Sequence, residues 1–317
     1  MAVTITQLRA FLALVRTGSV WAAADELVVT QPSVSAALHA LSREIGAELT
    51  ERAGRGIRPS AAGEAFAPYA AHVVGLLEEG RRAVAEAVEG GERELRIVAV
   101  TTAAEHIVPA LLRAFAAEQP DVRLAVEVAN RERVFRRLAQ HDADVAIAGR
   151  PPAGADLESV PFMENAMAVI ASPDDSLIER ETVEPAALCE RTWLMREEGS
   201  GTRACNEAFL ARHEISPRTL TLGSNGAIKE AVRSGLGISL VSRVTAALEL
   251  DAGLLGTLAV RELPERRWYA HRSTVGPLRS AVADFFAFVA GPVARDALLT
   301  ARAGLPKPAA RPVRVAA

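Results

Sequence analysis

The sequence predicts a helical N-terminal module joined through one long helix to an α/β region. Three observations predict it. Apolar residues in the first sixty positions recur at helical spacing between turn signals. Residues 61–90 carry a long helical pattern, and from Leu95 onward β-branched apolar runs alternate with helical segments.

Composition sets the bounds. At 317 residues, 50% apolar and 24% charged, the chain has the content of ordinary globular cores and the length of two domains or more. Its 36 Lys+Arg against 39 Asp+Glu give a net charge of −3, which excludes a basic nucleic-acid coat and a polyacidic disordered chain. The balance is uneven. Residues 1–60 hold six basic and five acidic side chains, 61–93 three and six, and the tail from Ala297 four and none. Gln7 and Arg9 interrupt the apolar stretch that a signal peptide would need, and no run long enough to span a bilayer follows. The expectation is a cytoplasmic protein with no membrane partner. Cys189 and Cys205 lack metal-type spacing, so neither a disulfide scaffold, a metal nor a cofactor is expected.

In the first helix, Leu8, Phe11, Leu12 and Val15 line one face, and Gly18-Ser19 ends it and offers a cap for Val20–Leu27. After the break Val28-Val29-Thr30, Thr30 caps a third helix with Pro32 in its first turn and Val34, Leu38, Leu41 and Ile45 on one stripe. Its other face carries Ser33, Ser35, Ala36, His39 and Arg43. Small polar groups suit close approach, and such a helix pair forms a helix-turn-helix whose second helix fits a major groove about 12 Å wide. Residues 49–60 are Gly-broken and carry Arg52, Arg55 and Arg58, a hairpin that brings guanidinium groups to phosphates. A surface helical hairpin beside a solvated turn is the plainer alternative; the order of all four pieces favours DNA.

The run from Leu8 through Gly63 resembles the winged helix-turn-helix of LysR-type transcriptional regulators: LRAFLALVRTGSV, AAADEL, QPSVSAALHALSREIGAEL, then ER and a wing ending in SAAG. The resemblance implies that Gln31, Pro32, Ser33 and Ser35 meet double-stranded DNA at the start of the recognition helix, with His39 and Arg43 along the same helix and Arg55 or Arg58 reaching it from the wing. Thr50 stands where the family usually has Phe, Ser42 where it has Glu, and Pro59-Ser60 where it has Leu-Thr. Loss of the Phe predicts a looser wing.

Within 61–90, Phe66, Ala70, Val73, Leu77, Val84 and Val88 are spaced as a packed seam, so two such helices are expected to pair. Pro68 predicts a late start or a kink near Glu64, and Glu89-Gly90-Gly91-Glu92 a hinge. The resemblance implies a homodimer or homotetramer assembled through this helix, with RNA polymerase as a further partner.

Strands are predicted at 95–100, 122–128, 145–148, 167–171, 193–195, 219–222, 238–241 and 268–272. Helices are predicted at 102–117, 131–140, 184–189, 202–213, 227–234 and 277–289. The βαβα order implies parallel sheets with ligand positions at strand C-termini. The layout resembles the two-lobed, periplasmic-binding-protein-like effector domain of the same family. The expected division is a DNA-binding domain at 1–60, a linker helix and hinge at 61–91, lobe I at 92–161 plus 268–296, lobe II at 162–267, and a disordered tail at 297–317.

Polar loops at the strand ends define the candidate ligand site. Thr101 and Thr102 follow one strand and Asn130 another; Ser200, Gly201, Thr202 and Arg203 open a helix after 193–195, and Asn225 opens a further one. Exposed N–H groups at helix N-termini beside hydroxyls favour an anion, and Arg150 and Arg203 add charge. AIAGRPP, REEGSGTR and SNGAIKEAVRSGLGISLVS resemble regulators of carbon-fixation (RuBisCO) operons, which implies a small anionic metabolite, phosphorylated or otherwise anionic. Two alternatives stand beside this one. Residues 94–296 alone would fit a solute-binding protein, and Cys205, one turn inside a helix and so with a lowered thiol pKa, would fit a redox-responsive regulator. No phosphate-binding, nucleophile-elbow or zinc-protease motif occurs and the six histidines are scattered, so no catalytic residue is assigned.

Overall fold

The computed structural model describes residues 2–54, 56–89 and 93–303. Two compact units result, one from the chain up to residue 92 with 137–143, the other from 93–136 with the remainder.

In the first unit, α1 (Ile5–Thr17) starts with a capping box: the Thr4 hydroxyl accepts from the Gln7 N–H, and the Gln7 side chain accepts from the Thr4 N–H. It ends at Gly18, whose φ of 65° is the left-handed turn that favours glycine. Helix α2 (Val20–Leu27) is capped by Ser19 and α3 (Gln31–Ile45) by Thr30. Leu8, Phe11, Leu14, Val34, Leu38, Leu41 and Leu49 form the core. Each large side chain buried there contributes about 1.5–3 kcal/mol. Strands β1 (Thr50–Ala53) and β2 (Gly56–Pro59) make the wing.

Helix α4 (Ala61–Glu89) excludes one of the two outcomes expected of Pro68. Although Pro68 lies inside, the helix does not start late. Its first turn is anchored by Ser60, whose hydroxyl donates to the Glu48 carbonyl (2.6 Å) and accepts from the Gly63 N–H (3.1 Å). A Cβ at Gly63 would collide with the Leu49 carbonyl, so the joint of wing and helix is close-packed although Thr50 replaces the family's Phe. Phe66 packs on Phe11 at 5.8 Å between ring centres. Tyr69, Val73, Leu77, Val84 and Val88 remain exposed along α4. The Gly90-Gly91 hinge lies outside the described residues.

Beyond residue 92 the chain runs β3 (Arg93–Val100), α5 (Thr101–His106), α6 (Val108–Glu118), β4 (Val122–Ala129), α7 (Arg131–Ala139), β5 (Val145–Ala148), β6 (Leu157–Glu164) and β7 (Met167–Ala171). It continues with β8 (Trp193–Met195), α8 (Gly201–Arg212), β9 (Thr219–Thr221), α9 (Asn225–Arg233), β10 (Ser239–Ser242), α10 (Ala247–Asp251) and β11 (Gly256–Leu258). It closes with β12 (Arg267–Ser273), α11 (Ser280–Ala290) and α12 (Pro292–Ala303). Two sheets with separate cores make two lobes. One sheet is ordered β4-β3-β5-β12-β6 around Leu95, Phe115 and Phe285; the other is ordered β10-β7-β11, and its core holds Trp193 and Phe209.

The sheets depart from the parallel expectation: the five-stranded one is mixed and β10-β7-β11 is antiparallel. Only β4-β3-β5 and β8-β9 run parallel, and β12 and β7 are antiparallel to their neighbours. The helix expected over 102–117 is two, because Pro109 has no N–H for the Glu105 carbonyl and the chain turns at Ile107 (φ −125°). Strand β6 escaped the sequence reading because Pro161 interrupts it. As an edge strand it tolerates the missing donor, with a bulge opposite at Trp268/Tyr269. The helix expected at 184–189 is a single 3-10 turn, Pro185–Leu188. The disordered tail expected from Ala297 is corrected up to residue 303: α12 continues there and buries Leu298 in the core. Residues 304–317 lie outside the described residues.

Candidate DNA interface and effector cavity

Helix α3 separates its two faces. Val34, Leu38 and Leu41 are buried, while Gln31, Pro32, Ser33, His39 and Arg43 are exposed and Ser35 is half-buried. The Ser33 hydroxyl meets that of Thr30 at 2.8 Å, so the capping network leads into the exposed first turn. The N–H groups of that turn and the helix dipole favour a phosphate there.

The wing departs from expectation. Arg58 sits opposite Glu51 across the hairpin and pairs with it at 2.6 Å. Such an exposed pair is worth about 0–1 kcal/mol, so a phosphate can displace Glu51. Arg52, which the sequence placed in the wing but not among the DNA contacts, is exposed and in no ion pair among the described residues. Arg55 lies outside the described residues. The buried Ser42 hydroxyl accepts the Leu49 N–H at 3.3 Å and so ties α3 to the start of the wing, a structural role rather than a DNA contact.

In the second unit a cavity opens at the C-terminal ends of β3, β4 and β8 and reaches the crossings between the sheets. Thr101, Thr102, Asn130, Ser200, Gly201 and Thr202 line it as expected. Ser200 caps α8 by accepting from the Thr202 N–H. Gly199, at φ 78°, leaves no room for a Cβ beside the Asn130 amide, and Asn130 itself accepts from the Arg133 N–H at the start of α7.

Three predicted residues do not line the cavity. Arg150 is exposed, and only its carbonyl turns inward, accepting from Arg131 at 2.9 Å. Arg203 is committed to Glu207 (2.7 Å) and the Arg196 carbonyl (3.2 Å). Asn225 is buried behind the wall, where it donates to the Thr102 hydroxyl (3.2 Å) and accepts from Arg196 (2.6 Å). It holds two lining residues without being one.

The sequence reading missed Arg131, Asn165, Arg196, Ser242, Arg266 and Trp268, all of which line the cavity. Arg196 is neutralised by Glu197 at 2.7 Å. Arg131 and Arg266 are in no ion pair among the described residues; Arg131 stacks over the Phe135 ring at 4.9 Å. Burial and the facing Arg266 charge pull the Arg131 pKa below its ordinary value. The Asn165 Nδ2 and Trp268 Nε1 donors are buried without an acceptor. The lining residues thus include two arginines outside any ion pair and two buried donors that lack an acceptor.

His271 supports this wall from behind. Its Nε2–H donates to the Gly149 carbonyl (3.0 Å), and the Ser159 hydroxyl lies 2.7 Å from Nδ1. Burial lowers its pKa to about 4, so it is neutral at pH 7.

A family model described as the LysR substrate binding domain matches residues 89–292, and one described as the bacterial regulatory helix-turn-helix protein, lysR family, matches residues 5–64. A RuBisCO operon transcriptional regulator of Allochromatium vinosum is 36% identical over 297 residues, 93% of this chain and 98% of its own. The chain belongs to the LysR family of transcriptional regulators.

Two solved structures bear on its parts. The regulatory domain of CcmR from Synechocystis PCC6803, in complex with 2-PG, is 34% identical with a TM-score of 0.59 and covers 62% of this chain and 95% of its own. Full-length CbnR with its target DNA is 21% identical with a TM-score of 0.58 over 93% of this chain and 99% of its own, a likeness of fold. The regulator accordingly joins a DNA-binding helix-turn-helix to a two-lobed effector-binding domain. No helix among its described residues is long and apolar enough to cross a membrane, and none of their His, Cys, Asp and Glu side chains group in threes as a metal would need.

The lowered thiol pKa expected of Cys205 is not found. Both cysteines are free, and burial raises the Cys205 pKa, with Arg266 pulling the other way. Cys205 packs at the margin of the Trp193 core.

Proposed function

We propose that this regulator binds promoter DNA as a homodimer or homotetramer paired through α4, engages RNA polymerase there, and responds to a small anionic metabolite in its cavity. The DNA contacts proposed are Gln31, Pro32, Ser33, Ser35, His39 and Arg43, with Arg52, Arg55 and Arg58 from the wing. The apolar stripe from Tyr69 to Val88, exposed on α4, supports pairing. Near-neutral charge in residues 1–60 supports it too, because a single module neutralises few phosphates.

The observation that carries the anion is the make-up of the lining: it includes Arg131, Arg266, Asn165 and Trp268 and no Asp or Glu, and the Asn165 Nδ2 and Trp268 Nε1 donors have no acceptor. An anion supplies charge and acceptors together. The relative's 2-PG makes phosphorylated carboxylic acids the first candidates. The space between the lining residues is small, about 30 Å³. Differential affinity of the metabolite for two arrangements of the lobes is what would alter transcription.

Calorimetry with phosphorylated sugars and carboxylates, 2-PG among them, tests the site. Arg266→Gln is expected to weaken the anion that binds wild type by about 10- to 100-fold. Equal affinity in both proteins overturns the assignment.

A further inference from the structure

A second cavity, of about 110 Å³, opens elsewhere in the two-lobed domain, and nothing in the anion reading uses it. One side is built by His106 and Ile107 at the end of α5, Met163 on β6 and Leu298 on α12; the other by Val244 and Leu248, with Lys229 and Glu249. The walls belong to different lobes. The charge here is balanced: Lys229 pairs with Glu249 Oε1 at 2.5 Å, and burial lowers the His106 pKa and favours its neutral form. The other carboxylate oxygen, Glu249 Oε2, is buried and has no hydrogen-bond partner. An apolar space, one unused strong acceptor and no net charge specify a ligand different from the first.

We propose that this cavity is a second ligand site, for a small neutral molecule with an apolar ring or branched body and one hydroxyl donor, a phenol or a compact alcohol. The body fills the space between Ile107, Met163, Val244 and Leu298, a volume of the order that admits a benzene-sized ring. The hydroxyl donates to Glu249 Oε2 and removes the cost of a buried, unused acceptor. An anion is disfavoured because that same carboxylate repels it.

The site shares elements with the anion cavity. Helix α5 lines the first with Thr101 and Thr102 and the second with His106, its two ends about 7.5 Å apart at helical rise. Ser242 lines the first cavity, and Val244 and Thr245 line the second. Helix α9 carries Asn225 behind the first and Lys229 in the second. Occupancy of one cavity therefore shifts affinity at the other, reciprocally. This coupling rests on the anion reading; the second site does not.

The test uses phenol and anisole, matched in shape except for the donor, with full-length protein in ligand-observed NMR and no anion present. Phenol is expected to bind saturably, and anisole about fivefold more weakly. Glu249→Gln preserves shape and is expected to cut phenol affinity about tenfold while leaving anisole unchanged. Ala247→Phe, which fills the cavity, abolishes both, and Thr202→Ala in the anion cavity abolishes neither. Absence of saturable phenol binding, equal affinity for phenol and anisole, or full phenol binding to a folded Ala247→Phe protein each overturns the site. An anion titration with and without saturating phenol then reads the coupling; unchanged anion affinity overturns the coupling alone, and failure of the anion to bind at all leaves the phenol result standing.

Discussion

The two binding surfaces of this regulator are built in opposite ways. The proposed DNA face centres on one helix, α3, with the wing beside it; it is exposed, with Ser33 held by its own N-cap and Arg43 further along the same helix. The effector cavity is gathered from strand ends far apart in sequence, and it concentrates unbalanced donors where solvent is scarce. A groove reader of low charge depends on being paired and on close fit; a cavity of uncompensated arginines depends on its ligand to complete it. The contrast predicts that damage to one surface leaves the other intact.

The largest effect should come from the core beneath the DNA face. Phe11→Ala removes a fully buried ring and should cost about 3–5 kcal/mol, seen as early melting of the helix-turn-helix and loss of gel-shift binding. Anion affinity measured below that transition should persist, and its loss would break the contrast. Next, Ser33→Asp puts like charge against phosphate and should weaken promoter binding about 10- to 100-fold in gel shifts, without altering anion affinity. The smallest is a pH effect on the cavity side. His271 is depressed to about 4 from an unfolded value near 6.5, so its contribution is complete above pH 6.5 and is lost as pH falls toward 4. Melting curves should show roughly 1 kcal/mol less stability at pH 5.5 than at 6.5, a slope that His271→Gln should flatten.

The same contrast governs what the sequence made legible. Helices α2 and α3 were readable to their ends because caps, a Gly stop and a single apolar stripe are local signals. Thr102, Ser200 and Thr202 were readable because polar residues followed recognisable strands. Asn165 and Arg266 were not: they flank β6 and β12, and β6 was hidden by Pro161, whose place at a sheet edge is a fact of tertiary pairing. Arg150 and Arg203 misled because charge near a strand end says nothing of which acid already holds it, and Glu207 holds Arg203. Leu298 shows the same limit at the C-terminus, where a Pro- and Ala-rich composition concealed a packed helix.

The residues that line the cavity, Asn165 among them, select the anion rather than Arg150 and Arg203, which do not line it. Calorimetry of the best-binding phosphorylated carboxylic acid against Asn165→Asp and Arg150→Ala tests this most directly. Asn165→Asp keeps the shape and replaces an unused donor with a like charge, so anion binding should vanish while Arg150→Ala binds as wild type. Wild-type affinity in Asn165→Asp, or loss of binding in Arg150→Ala, would contradict the account.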